Sequence, residues 1–352
     1  MLYLTLIICF ISSILLTPLV KRFALKIGAT DKPNKRKVHQ KIMPRLGGLA
    51  IYLSFLIGFM ILSPDNQDAL PILVGATIII ITGFFDDLLE ISPKWKLLGQ
   101  LAAAAVVVIW GGIQVLFINL PFGGYLEFGI FSIPLTIIWI VGITNAINLI
   151  DGLDGLAAGV SSIVLLTISG MAVMMGDVFV ASIGAIVLGS TIGFLVYNFH
   201  PAKIFMGDTG ALFLGFMISV LSLLGFKNVT VFSFIIPIII LGVPISDTFF
   251  AIIRRVVNKQ PISAPDKSHL HHCLLNLGFT HRQTVLVIYA ISAVFALSAV
   301  LLSQAALWGA FFIISILIVA IELLVEKIGL INKDYRPLIK FVRRGMRYAA
   351  RK

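Results

Sequence analysis

Apolar runs of roughly 17 to 25 residues, parted by short polar islands, repeat from one end of the chain to the other. Each is long enough to cross about 30 Å of hydrocarbon as a helix. About eleven can be drawn: 2–20, 47–63, 69–85, 97–117, 130–147, 156–175, 178–197, 210–226, 230–253, 284–303 and 307–326. The pattern predicts an all-α polytopic membrane protein, with one transmembrane domain over 1–326 and a basic tail over 327–352. No long linker or low-complexity tract interrupts it. The first run lacks a basic n-region and a small-residue cleavage site, so it reads as a retained helix and not a signal peptide.

Composition narrows the class further. Of the 352 residues, 59% are hydrophobic and only 12% are charged, which excludes an ordinary soluble domain. The basic residues fall on alternate loops. Those at 21–45, 94–96, 203, 254–282 and 327–352 hold 26 of the 27 Lys and Arg, and the other set holds only Lys227. The positive-inside rule then places the first set in the cytoplasm, the N-terminus outside and the C-terminus inside. The net charge of +11 is a topology signal with attraction to anionic membrane lipids as a by-product. Nucleic-acid binding is not indicated, because no recognisable binding module accompanies these residues. Cys9 and Cys273 suggest neither a disulfide nor a zinc site.

The polar islands on the basic side carry the chemistry. Asp86, Asp87, Asp151, Asp154, Asp208, Asp247 and Asp266 come from five stretches of chain that a single bundle can bring to one cleft. In "FFDDLLEISPKWK", Asp86 and Asp87 point about 100° apart on a helix, so they suit different roles, such as one metal contact and one base. A solvated helix end is the competing view. In "NAINLIDGLDGLAAG", Asn145, Asn148, Asp151 and Asp154 recur at three-residue intervals, while Gly152 and Gly155 oppose a regular helix through the aspartates. A turn that aims these groups into a polar cavity is expected. In "YNFHPAKIFMGDTGALFLG", Pro201 should end a helix after Asn198, and Asp208 should stand where the next begins. Asp208 either caps that helix or holds Mg²⁺, with Gly207 and Gly210 letting phosphates approach backbone amides. In "SAPDKSHLHH", His269, His271 and His272 lie among Arg254, Arg255, Lys259 and Lys267, which suits phosphate better than zinc. A solvated basic loop is the plainer alternative.

Taken with "RKVHQKIMPRLGG" and "PISAPDKSHLHHCLLNLGFTHRQ", these motifs resemble the polyprenyl-phosphate N-acetylhexosamine-1-phosphate transferase family, in order from about residue 17 to 337. Within it the likeness is strongest to the branch that begins wall teichoic acid synthesis in Gram-positive bacteria. One departure is Glu90, where many relatives carry another residue. The resemblance implies a bacterial plasma-membrane enzyme with a cytoplasmic active site. It implies transfer of GlcNAc-1-phosphate from UDP-GlcNAc to undecaprenyl phosphate, with release of UMP and dependence on Mg²⁺, or Mn²⁺ in its place. It also implies that Asn148, Asp151 and Asp154 line the nucleotide-sugar site, that Asn198 and Phe205 lie near the uracil, and that relatives commonly form homodimers. Asp208 would hold the metal, with Asp86, Asp87, Lys96, His269, His271 and His272 serving the chemistry. An intramembrane prenyltransferase would need no histidine loop. A secondary transporter would place its acids near the bilayer midplane and show internal repeats.

Overall fold

The computed structural model describes residues 2–31, 42–119, 123–226, 235–261, 266, 268–330, 336–338 and 340. Thirteen helices are seen among them: α1 (Leu2–Ile27), α2 (Gly47–Leu62), α3 (Ala69–Leu89), α4 (Pro93–Ala105), α5 (Ser132–Ile150), α6 (Leu156–Met174), α7 (Val178–Asn198), α8 (Gly207–Gly225), α9 (Ile235–Ile240), α10 (Gly242–Val257), α11 (Leu270–Asn276), α12 (His281–Gln304) and α13 (Leu307–Ile328). Eight described spans are long and apolar enough to cross a membrane. The protein is an all-α polytopic membrane protein. Each of the eleven expected runs contains helix, although not always as one straight span.

Three departures from the sequence expectation have local causes. The run expected over 230–253 is broken at Leu241, between α9 and α10. Pro244 lies four residues after Ile240, and a proline ring clashes with the carbonyl at that spacing. The run expected over 97–117 starts earlier, at Pro93 in the first turn of α4, and its end widens into a π-helical turn over Val106–Trp110 before Gly111 and Gly112. Beyond them, β1 (Thr30–Asp31) pairs with β2 (Met43–Pro44), and β3 (Phe117–Asn119) pairs with β4 (Tyr125–Glu127), as two short antiparallel ribbons. Much of the tail expected over 327–352 lies outside the described residues, as do Lys227 and Lys267.

The core is built around α8, in which every residue from Thr209 to Ser222 is buried. Without a hydrophobic drive between helices in lipid, close packing of small residues holds such a centre together. A Cβ placed on Gly48 of α2 would sit 2.0 Å from the Gly210 backbone, and one on Gly83 of α3 would sit 2.5 Å from Thr209 Cα. Hydroxyls inside the bundle donate to carbonyls of their own helix, as Thr136, Thr144 and Thr191 do four residues back. Around this centre, α13 is peripheral. Its apolar window is only 17% buried against 78% for α8, so its Leu, Ile and Phe side chains face outward as a lipid-bathed surface requires.

The chain reversals that matter share one face of the bundle. The end of α3, the start of α4, the α5–α6 and α7–α8 turns, α11 and the start of α12 all meet there.

Candidate active site

The start of α8 is the fixed point of this face. Its first amides need acceptors, and the acceptor is Asp87 of α3. One Asp87 oxygen takes the Asp208 N–H at 3.0 Å, and the other takes the Thr209 N–H at 3.0 Å and the Thr209 hydroxyl at 2.6 Å. Gly207, at φ +71°, makes room for it, since a Cβ there would lie 2.4 Å from the Asp87 carboxylate. The capping role considered for Asp208 therefore belongs to Asp87. The expectation that Gly207 and Gly210 open the amides to phosphates is also corrected. Those amides are committed to Asp87, and the space beside Gly210 is filled by Gly48 and Met206.

Freed from capping, Asp208 turns into the cleft. Asn148 donates to its Oδ1 at 2.6 Å, and Lys96 Nζ lies 2.5 Å from Oδ2 and 2.7 Å from Asp86 Oδ2. Asp86 and Asp87 do serve different partners, as their helical spacing requires. Asn145 departs from the other three of its series: it exchanges hydrogen bonds with Gln100 of α4 inside the bundle.

Glycines shape the α5–α6 turn as expected. α5 stops at Ile150, Gly155 takes φ +76°, and α6 starts at Leu156. Asp154 Oδ2 lies 2.9 Å from His200 Nδ1 and accepts the Ala202 N–H at 3.1 Å. Asn198 ties two turns together, accepting from Gly155 N–H at 3.1 Å and donating to the Ile204 carbonyl at 3.0 Å. Phe205 is held by its backbone, which donates to Pro44 O and accepts from Gly47 N–H.

A cavity of about 660 Å³ opens between these turns. It is lined by Asp87, Asn148, Asp151, Asp154, Asn198, Phe205, Asp208 and His272 of the expected set. Asp86 and Lys96 stand behind its wall, joined to Asp208. Burial, and then the neighbouring Asp208, Asp87 and Asp154, push the Asp151 carboxyl up to about 8. So many carboxylates around one space make a place for a cation. The oxygen donors of Asp208, Asn148 and Asp151 fit Mg²⁺, which takes one or two carboxylates plus substrate phosphates.

The histidine loop is placed differently from expectation. His269 is buried, with Nδ1 2.9 Å from Asp247 Oδ2, and Asp247 Oδ1 accepts the Leu270 N–H at 2.7 Å. His271 is buried against Gly152, where a Cβ would come within 2.4 Å of its Nε2. Burial, and then His272, push its pKa down to about 3, so it is neutral at physiological pH and offers no positive charge. Arg254, expected among phosphate donors, instead binds Asp266 and the Leu330 carbonyl. Of the three histidines, His272 alone lines the cavity.

Sequence reasoning gave no role to Arg45, His200 and His281, and it placed Asp247 among the acids of the cleft, which Asp247 does not line. Arg45 lines the cavity, donates to the Asp87 carbonyl at 3.1 Å and pairs with the exposed Glu90 at 3.3 Å. His200 and His281 line it too, and Asp247 anchors the histidine loop. Arg45, His200 and His281 stood inside recognised motifs, but nothing in local spacing marks which motif residues face a cavity.

A membrane bundle thus gathers a polyacidic cavity at one face, backed by a lysine and edged by histidines. Residues 69–226 match the family described as glycosyl transferase family 4. The chain is 54% identical over 341 residues to the "Probable undecaprenyl-phosphate N-acetylglucosaminyl 1-phosphate transferase" of Bacillus subtilis, covering 96% of this chain and 95% of that protein. It is 34% identical to the phospho-N-acetylmuramoyl-pentapeptide-transferase of Halalkalibacterium halodurans, over 86% of this chain and 97% of that one. It is 31% identical to the undecaprenyl-phosphate alpha-N-acetylglucosaminyl 1-phosphate transferase of Thermotoga maritima, over 82% and 86%. The chain belongs to this family of membrane-bound sugar-phosphate transferases.

Proposed function

We propose that this protein transfers GlcNAc-1-phosphate from UDP-GlcNAc to undecaprenyl phosphate at the cytoplasmic face of a bacterial plasma membrane, releasing UMP and making the first lipid-linked intermediate of a wall polymer, teichoic acid by the branch it resembles. The observation that carries this reading is the Asp86–Lys96–Asp208 bridge on a cavity with four further carboxylates, at the face where the bundle's polar turns gather.

In the reaction, an oxygen of the lipid phosphate forms a bond to the sugar-bearing phosphorus of UDP-GlcNAc, and the bond from that phosphorus to the UMP oxygen breaks. Both reactants are anions, so the barrier is one of bringing like charges together, and positioned cations lower it. Mg²⁺ held by Asp208, with Asn148 orienting that carboxylate, would supply Lewis-acid stabilisation of the diphosphate. Lys96 is placed to exchange its carboxylate partners for phosphate oxygens, and Arg45, held at the Asp87 carbonyl, adds a second cation. A phosphate monoester loses its second proton near pH 6, so the acceptor needs little help from a base at neutral pH. Asp87 accepts three hydrogen bonds, which fits positioning better than proton abstraction. Asp151 and Asp154 are placed to accept hydrogen bonds from sugar or ribose hydroxyls, and Phe205 offers a face for a base.

The test is incubation of the purified protein in undecaprenyl phosphate micelles with Mg²⁺ and a panel of UDP-sugars, followed by mass spectrometry of the lipid extract. Undecaprenyl-pyrophosphoryl-GlcNAc with equimolar UMP supports the reading. A different sugar in the product moves the donor, and no lipid-linked sugar with any donor overturns the activity.

A further inference from the structure

We propose that Asp154, His200 and His281 form a second divalent-cation site, of the class that imidazole selects (Zn²⁺, Co²⁺, Ni²⁺), separate from the oxygen-donor cluster at Asp208. Among the described residues, these three alone bring a group of candidate ligand atoms within 4.8 Å of one another. Their placement is enforced from three directions. Asp154 sits in the glycine-shaped turn between α5 and α6, His200 follows the end of α7, and His281 is the first residue of α12. That helix start is fixed by a capping box, in which Thr280 accepts from the Gln283 N–H and Gln283 accepts from the Thr280 N–H.

Three observations favour a ligand over a simple ion pair. The His200 and His281 rings stack with centroids 4.2 Å apart and planes 22° apart, an arrangement that two imidazolium cations would resist. His281 Nε2 is buried and has no hydrogen-bond partner, so a nitrogen lone pair or N–H is held inside the protein to no internal purpose. His200 Nδ1 lies 2.9 Å from Asp154 Oδ2, an oxygen also fixed by the Ala202 N–H, a separation at which both atoms can face one ion. Mg²⁺ prefers oxygen, whereas zinc-like ions take neutral imidazole readily, so the two clusters select different ions. All three residues line the same cavity as Asp208. An ion bound there adds positive charge to the cavity and leaves coordination positions for phosphate or hydroxyl oxygens of whatever the cavity holds.

The site shares Asp154 with the substrate cavity of the reading above, and its test reads binding and not turnover, so its failure leaves that reading standing. Zn²⁺ is titrated into the purified protein against a chromophoric chelator, with millimolar Mg²⁺ present throughout. One tightly held Zn²⁺ per chain is expected. His200→Gln and His281→Gln should each weaken it at least tenfold, while Asp208→Asn changes it less than threefold. Failure to retain Zn²⁺ overturns the site, as does binding that survives both histidine substitutions or disappears instead with His272→Ala. Should both variants fail to fold, Co²⁺ titrated into the unaltered protein decides the matter. A visible band of nitrogen-ligated Co²⁺ that saturates at one ion per chain and is bleached by Zn²⁺ supports the site, and no band overturns it.

Discussion

At the scale of single residues, two neighbouring aspartates and one sixty residues from its nearest partner divide the labour. Asp87 is committed to the start of α8, and Asp208 is the cavity carboxylate that Asn148 and Lys96 hold. Asp208→Asn should therefore leave the melting temperature of the metal-free protein nearly unchanged and reduce turnover at least a hundredfold. Near-normal turnover would show that the metal is held elsewhere. Asp151 supports a second prediction, on pH. Its folded pKa is raised to about 8 from 3.8, and that of His271 is lowered to about 3 from 6.5. Between pH 3.8 and 6.5 the two effects oppose, because folding takes up a proton at Asp151 and releases one at His271. From about pH 6.5 to 8 His271 no longer opposes Asp151, the folded state holds more protons than the unfolded, and stability falls as pH rises. In EDTA the melting temperature should decline across that window. Asp151→Asn should flatten the decline, and an unchanged slope in that variant would place its cause in other groups.

At the scale of elements, punctuation was legible and partnership was not. Pro201, Gly152 and Gly155 mark helix ends that can be read from backbone chemistry alone. So was the gathering of acids at helix ends on one side. What could not be read is that the anion for α8 comes from α3, 121 residues earlier, or that Lys96 spans two carboxylates, because such pairs depend on which helices pack together. Nor does spacing reveal that Asn145 turns away to Gln100 while Asn148, three residues on, faces the cavity. The junction of α3 and α8 can be tested with matched glycines. Gly176 and Gly207 have φ of +76° and +71°, yet a Cβ on Gly176 meets nothing within 4 Å, while one on Gly207 strikes Asp87. Gly176→Ala should cost only the left-handed strain, about 1–2 kcal/mol. Gly207→Ala should lower the melting temperature at least twice as much and remove activity, and equal effects would show that Asp87 yields easily.

For the whole molecule, the alternating apolar and basic segments imply a direction that a bundle of helices alone does not. The site face carries the basic loops and the opposite face is nearly free of them, so the site should open to the cytoplasm. A reporter fused after Lys352 should read cytoplasmic, and one inserted in the 63–68 loop should read external. The reverse pair would place the cavity on the outer face and exclude a cytosolic nucleotide-sugar donor. The broken α9–α10 span and the two short ribbons escaped the hydrophobic pattern, since neither changes the apolar content by which spans are recognised.

The lysine between Asp86 and Asp208 has a consequence for how the resting protein behaves. Its ammonium is a tethered rival to any dissolved cation, so an arriving ion must first displace it, and the affinity measured from outside is the intrinsic affinity reduced by that displacement. The same tether then supplies a freed positive charge just when phosphates arrive, which makes occupancy by ion and substrate mutually reinforcing. Lys96→Met removes the rival while keeping much of the stem. Mn²⁺ followed by its paramagnetic signal should bind this variant about tenfold more tightly without nucleotide, although turnover collapses and nucleotide no longer strengthens the ion's hold. Weaker Mn²⁺ binding in Lys96→Met would mean that the lysine is a fixed strut and not a displaceable plug.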